Sequence, residues 1–169
     1  MNAQQWMFCL ITGLFWFSVY TYVPILPIYA TSLGASYKMV GLIVGSYGIT
    51  QLILRIPQGI LSDRWRKRKI FVTAAMAVAA VSALGMGLIP DVTALLFFRG
   101  LSGMSSTAWV VIVVLFASYF PAHEAPRAYG ILNSVNFTGQ LAGMFAGGLA
   151  AQWYGPQTSF FLAAGGATA

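Results

Sequence analysis

Arg99 sits about seven residues inside an apolar stretch that runs from Val92 to Tyr119. At 1.5 Å per helical residue it lies roughly 10 Å deep. A charge at that depth in a membrane costs several kcal/mol unless it faces water or a partner. Ser102, Ser106 and Trp109 follow at helical spacing, so a polar stripe continues on the face of Arg99. Such a stripe lines a cavity, in preference to an Arg snorkelling to the surface. A second stripe joins Tyr47, Gln51, Arg55 and Gln58 at i, i+4, i+8 and i+11, with Gly41, Gly45, Gly48 and Gly59 beside it. Two amides and an Arg on one face do not suit a helix surrounded by lipid. Arg55 is roughly 9 Å from the end of its helix, so lining a cavity and snorkelling are both open to it. Asn133, Asn136 and Gln140 form a third such face. The chemistry these residues offer is binding of a polar or amphipathic solute.

Bond-making chemistry has no footing. No His-x-x-x-His pair, Gly-x-x-x-x-Gly-Lys phosphate loop or buried Ser/His or Asp/Asp set is present. Neither a catalytic residue nor a cofactor or metal site is expected. Cys9 is the only cysteine, which rules out an intrachain disulfide and a four-cysteine zinc site. Asp63, Asp91 and Glu124 are the only acids, and all fall at helix ends or in loops; His123 is a loop residue as well.

The elements that carry these stripes must sit in a bilayer. Hydrophobic residues make up 59% of the 169-residue chain and charged ones 7%, with a mean hydropathy of +0.77. A soluble domain needs about 25% charged residues. Stretches of about 20 apolar residues span a membrane. They are read at 6–30, 39–61, 70–89, 92–119 and 128–151, with an incomplete sixth at 159–169. Pro24 and Pro27 should bend or end the first. The apolar start is too long, and lacks the basic n-region, for a cleavable signal peptide.

The connections are short, and their charges set the orientation. Five of the nine Lys and Arg residues, Arg64, Arg66, Lys67, Arg68 and Lys69, crowd the second loop, read as Ser62–Lys69. Arg127 is in the fourth loop. The third and fifth loops carry no Lys or Arg, and the first has Lys38 alone. The positive-inside rule then places the even loops and the N-terminus in the cytoplasm. The net charge of +6 is therefore a topology signal. Nucleic-acid binding needs basic residues spread over a soluble face, and no nucleic-acid partner is expected.

The run Gly59-Ile60-Leu61-Ser62-Asp63-Arg64-Trp65-Arg66-Lys67-Arg68-Lys69 resembles the loop signature of the major facilitator superfamily, G-x-L-[AS]-D-R-x-G-[RK]-R. Gly59, Leu61, Ser62, Asp63, Arg64, Lys67 and Arg68 fit, and Arg66 stands where the family has Gly. Arg99-Gly100-Leu101-Ser102-Gly103 resembles the family's fourth-helix R-x-x-x-G. Gly130, Gly139, Gly143, Gly147 and Gly148 match the five glycines of the antiporter motif of its drug-efflux branches, with Met144 replacing the usual proline. Gly139, Gly143 and Gly147 also recur every fourth residue, a ridge that lets helices approach closely. Finally, Gly59-x-Leu61-Ser62-x-x-Trp65 and Gly147-x-Leu149-Ala150-x-x-Trp153 end the second and fifth spans alike, as an inverted repeat would.

The resemblance implies an all-α six-helix half-bundle of three plus three inverted helices, the N-terminal half of a secondary transporter most similar to efflux branches. It implies alternating access, with a small organic solute, the lipid bilayer of the plasma (inner) membrane and a C-terminal six-helix half as partners. By the same resemblance, Asp63 latches the two halves on the cytoplasmic side. Proton coupling would need a buried acid, and no span here contains one. The chain reads as a piece of a twelve-helix protein. The rival is a membrane-embedded interaction or sensor subunit that transports nothing.

Overall fold

The structure is a computed structural model that describes residues 2–65 and 67–168. Those residues form eight α-helices and one 3-10 turn, with no strand among them. Helix α1 spans Ala3–Thr21. The Asn2 N–H donates to Gln5 Oε1 at 2.9 Å, which satisfies one of the free donors at its start. The helix stops short of Pro24, and the chain turns before α2, Leu26–Ser32. Pro27 falls in the first turn of α2, where a missing N–H costs nothing. The prolines thus break the first span as expected.

Helix α3 covers Tyr37–Trp65, about 43 Å at the standard rise, and runs through Pro57. It continues past Leu61, where the sequence reading ended it. Helix α4, Arg68–Leu88, begins almost at once. The expected eight-residue loop Ser62–Lys69 is therefore mostly helix, because Ser62-Asp63-Arg64-Trp65 contains no breaker. Arg66, the departure from the family's glycine, lies outside the described residues, as does Ala169 at the end of the sixth stretch.

The fourth span is two helices, α5 (Val92–Ser106) and α6 (Trp109–Ala117). The Ser105, Ser106 and Thr107 hydroxyls each donate to the carbonyl three residues back, at 2.6–2.7 Å. The Thr107 and Ala108 amides likewise bond three residues back, to Met104 and Ser105. That local tightening interrupts the i to i−4 ladder. After the turn Ala122–Glu124 comes α7, Ala125–Tyr154, which ends at Gly155 with φ +94°. Helix α8 is Gln157–Thr168.

Four stretches among the described residues are long and apolar enough to cross a membrane: Ala3–Ser32, Tyr37–Trp65, Arg68–Leu88 and Val92–Ala117. They overlap the stretches read at 6–30, 39–61, 70–89 and 92–119. Helix α7 has the length, at 30 residues, but its glycines and its amides Asn133, Asn136 and Gln140 dilute its hydropathy. Helix α8, at 12 residues, is about 18 Å long.

The main pairings are α1 with α7, α3 with α5, and α4 with α8. Exchanging the first three spans for the second three turns the α1–α7 pair into the α5–α3 pair and leaves α4–α8 unchanged. That is the pairing a three-plus-three inverted repeat requires. One apolar cluster gathers Phe15, Trp16, Ile112, Phe116 and Leu132; a second gathers Tyr22, Leu26, Met86, Leu95 and Phe160. The N-terminus meets the end of the fourth span, where Gln5 Nε2 donates to the Tyr119 carbonyl at 3.0 Å. At the opposite end Gln157 Nε2 donates to Tyr29 Oη at 3.3 Å.

Candidate functional site

Arg99 is placed by a long α5 that begins on a firm cap. Asp91 accepts hydrogen bonds from the Thr93 and Ala94 amides at 2.8 and 2.9 Å, which fixes the helix start. The hydrogen bond to Ala94, then that to Thr93, holds the Asp91 carboxyl below the usual carboxylate range against the opposing effect of desolvation. Two turns further on, Arg99 is buried, at 5% exposure.

Its guanidinium is enclosed by aromatic rings. The Cζ atom lies 4.3 Å from the ring centre of Tyr47 on α3 and 5.4 Å from that of Tyr22, at the end of α1. Arg99 Nη1 donates to Tyr22 Oη at 3.4 Å, and Tyr22 Oη shares a 2.7 Å hydrogen bond with Ser102 Oγ. Arg99 Nε has no partner. The three ion pairs among the described residues lie elsewhere. A buried cation is thus held by ring quadrupoles and hydroxyls, without a carboxylate.

The sequence-derived stripe on α5 and α6 divides in three. Ser102 joins the Arg99 cluster. Ser106 turns its hydroxyl back to the Gly103 carbonyl at 2.7 Å. Trp109 packs edge-on to the buried Trp16 at 5.6 Å, and Trp16 Nε1 is also without a partner. On α3, Gln51 is half-buried and Arg55 is exposed, about 12 Å along the axis from Tyr47. Asn136 is buried and accepts a 2.5 Å hydrogen bond from Gln140 Nε2.

Sequence reasoning missed the role of Tyr22 and Tyr47 as a cover for Arg99. The available signals were the position of Tyr47 at the head of a polar stripe and of Tyr22 beside the Pro24 break. Gly103 makes the cover possible: any Cβ there would overlap the Tyr47 backbone carbonyl. The ridge on α7 works the same way. A Cβ on Gly139, Gly143 or Gly147 would overlap the backbone carbonyl of Gly13, Phe17 or Thr21 on α1. Gly130, Gly148 and Gly59 face open space, so close packing engages three of the five motif glycines.

In the loop region, Arg68 pairs with Asp63 at 3.3 Å. Both side chains are substantially exposed, and such a pair contributes little to stability. Arg64 and Lys67 are exposed.

The chain is thus a bundle of long apolar helices, paired as two matching triplets, with a polar cluster around a buried cation in its fourth span. A profile of the Major Facilitator Superfamily matches residues 8–169, and the chain belongs to that superfamily. It is 34% identical over 141 residues to an uncharacterized MFS-type transporter of Methanocaldococcus jannaschii, covering 82% of this chain and 36% of the relative. Multi-drug resistance efflux pump PmrA of Streptococcus pneumoniae is 28% identical, covering 86% of this chain and 37% of the pump. Multidrug resistance protein MdtG of Salmonella choleraesuis is 30% identical, covering 94% of this chain and 40% of its own length. The chain therefore spans 36–40% of the length of these curated relatives. It is a multi-pass membrane protein of a transporter family.

Proposed function

We propose that this chain is the N-terminal half of a secondary active transporter that exports small organic solutes by alternating access. The observation that carries the reading is Arg99: a cation at 5% exposure, without a carboxylate partner, in the fourth span of a Major Facilitator chain. A group so costly to bury marks a pathway or a site. Similarity to a protein named as a multi-drug resistance efflux pump, and to another named as a multidrug resistance protein, supports the outward direction. Trp109, Gln51, Asn136 and Gln140 supply further cavity surface, and Arg55 lies nearer its end. A C-terminal six-helix half closes the cavity from the opposite side. The loop of Gly59, Asp63, Arg64, Lys67 and Arg68 faces the cytoplasm, with Asp63 exchanging Arg68 for a partner on the other half as the cavity opens outward. If transport is proton-driven, the titrating acid stands outside these spans.

The test is dye efflux from cells expressing the complete protein. Arg99→Ala should abolish efflux with membrane insertion intact. Arg99→Lys, which keeps the charge but loses the planar fork, should give an intermediate rate. Normal efflux by Arg99→Ala removes Arg99 from the pathway. Asp63→Asn should raise cysteine accessibility on the cytoplasmic face and slow efflux at unchanged expression; unchanged accessibility ends the latch.

A further inference from the structure

The end of the bundle that carries the N-terminus holds two adjoining clefts. One, of about 720 Å³, is lined by Asp63, Lys67, Arg68 and Lys69, with Leu115 as part of its apolar floor. The other, of about 390 Å³, runs between α1, α4 and α6 along Met7, Phe8, Ile11, Val72 and Met76. Lys69 and Leu115 line both. A charged chamber thus adjoins an apolar groove, with Lys69 and Leu115 as their common wall, at the level where α3 ends and α4 begins.

The charge in the first chamber is unbalanced. Three cations face one acid there, and Asp63 is committed to Arg68 at 3.3 Å. Among the described residues no acid lies within ion-pair distance of Lys67 or Lys69. Both ammonium groups sit at the ends of spans long enough to cross a bilayer, hence at headgroup depth. The groove behind them descends toward the hydrocarbon, with Phe8 fixed in its wall by stacking on Phe116 at 5.4 Å.

We propose that this paired cleft is a binding site for one anionic phospholipid, the phosphate on Lys67 and Lys69 and an acyl chain along α1, α4 and α6. Charge complementarity selects the headgroup. Lysines next to a span attract anionic lipid, each by about fivefold in binding. The apolar groove distinguishes this site from diffuse surface attraction, since it fixes where the chain must lie. A lipid seated there bridges the first, third and fourth spans at one end of the bundle.

Native mass spectrometry of the purified complete protein, titrated with phosphatidylglycerol and with phosphatidylcholine of the same acyl chains, tests this. Wild type should retain phosphatidylglycerol in preference. Lys67→Gln with Lys69→Gln should weaken that retention about thirtyfold, the product of two such charges. Both lysines are exposed, so their replacement leaves the fold intact. Val72→Trp, which fills the groove and leaves every charge in place, should weaken both lipids, while Ala77→Trp on the exposed side of α4 should weaken neither. Equal retention of the two lipids by wild type overturns the proposal, as does an unaffected double variant. Displacement of phosphatidylglycerol by an equal concentration of glycerol 3-phosphate also overturns it, because the site would then take free phosphate.

Discussion

The Tyr47 ring covers the Arg99 guanidinium at 4.3 Å, and the side chain that Gly103 lacks is what lets it do so. Helices α3 and α5 meet backbone to backbone at that glycine. The tyrosine therefore reaches over the cation four residues earlier on α5.

The covering ring should be energetically coupled to the charge. A desolvated cation–π pair is worth about 2 kcal/mol. A double-mutant cycle of Tyr47→Leu with Arg99→Met, followed by unfolding in detergent, should give a coupling of about 1–2 kcal/mol. Tyr47→Phe keeps the ring and should lose little. A coupling of zero would show that the ring merely fills space.

Close packing of α1 on α7 makes opposite predictions for neighbouring glycines. Gly143→Ala drives a methyl group into the Phe17 carbonyl and should destabilise by about 1–3 kcal/mol. Gly148→Ala points into open space and gains up to about 1 kcal/mol of helix propensity. Melting temperatures of the two variants should move in opposite directions. A common direction would argue against the ridge.

The Asp91 cap ties stability to pH. Its hydrogen bonds to Ala94 and Thr93 lower its carboxyl pKa in the fold. A depressed acid contributes fully above its unfolded value, and the contribution is lost as pH falls toward the folded one. Asp91→Ala should thus melt lower than wild type at neutral pH. The gap should narrow below about pH 4, where carboxylates begin to protonate. A gap that persists unchanged into strong acid would mean that the charge of Asp91 has no part in the cap.

Orientation can be read from labelling. In a Cys9→Ser background, single cysteines at Trp65 and Gln157, both exposed, should react from opposite faces of intact cells, with position 65 inside. Labelling of position 65 by an impermeant reagent from outside would reverse the topology.

Much of the bundle was legible in the sequence because lipid imposes a simple rule. Apolar runs of the right length fall on the long apolar helices from α1 to α6, and Pro24 and Pro27 marked the break between α1 and α2. The ridge at Gly139, Gly143 and Gly147 was visible as a four-residue period, although which helix it meets was not. Three things escaped. Helices α3 and α4 extend into the charged run, since a loop length cannot be read where no residue breaks a helix. The interruption at Thr107 arises from hydroxyls that can bond their own backbone or point elsewhere, and composition does not decide between these. The cluster of Tyr22, Tyr47, Arg99 and Ser102 joins three helices, and no periodicity within one helix encodes a meeting of three.

The interruption of the fourth span has a bearing on how the bundle is built. Its hydroxyl groups bond the carbonyls of Ser102, Gly103 and Met104 within the same turn. The interruption therefore needs neither water nor a neighbouring helix to be tolerated in hydrocarbon. It can exist as the span leaves the insertion machinery, before α7 or α8 has been made. Later segments then assemble against a fourth span that already carries its interruption.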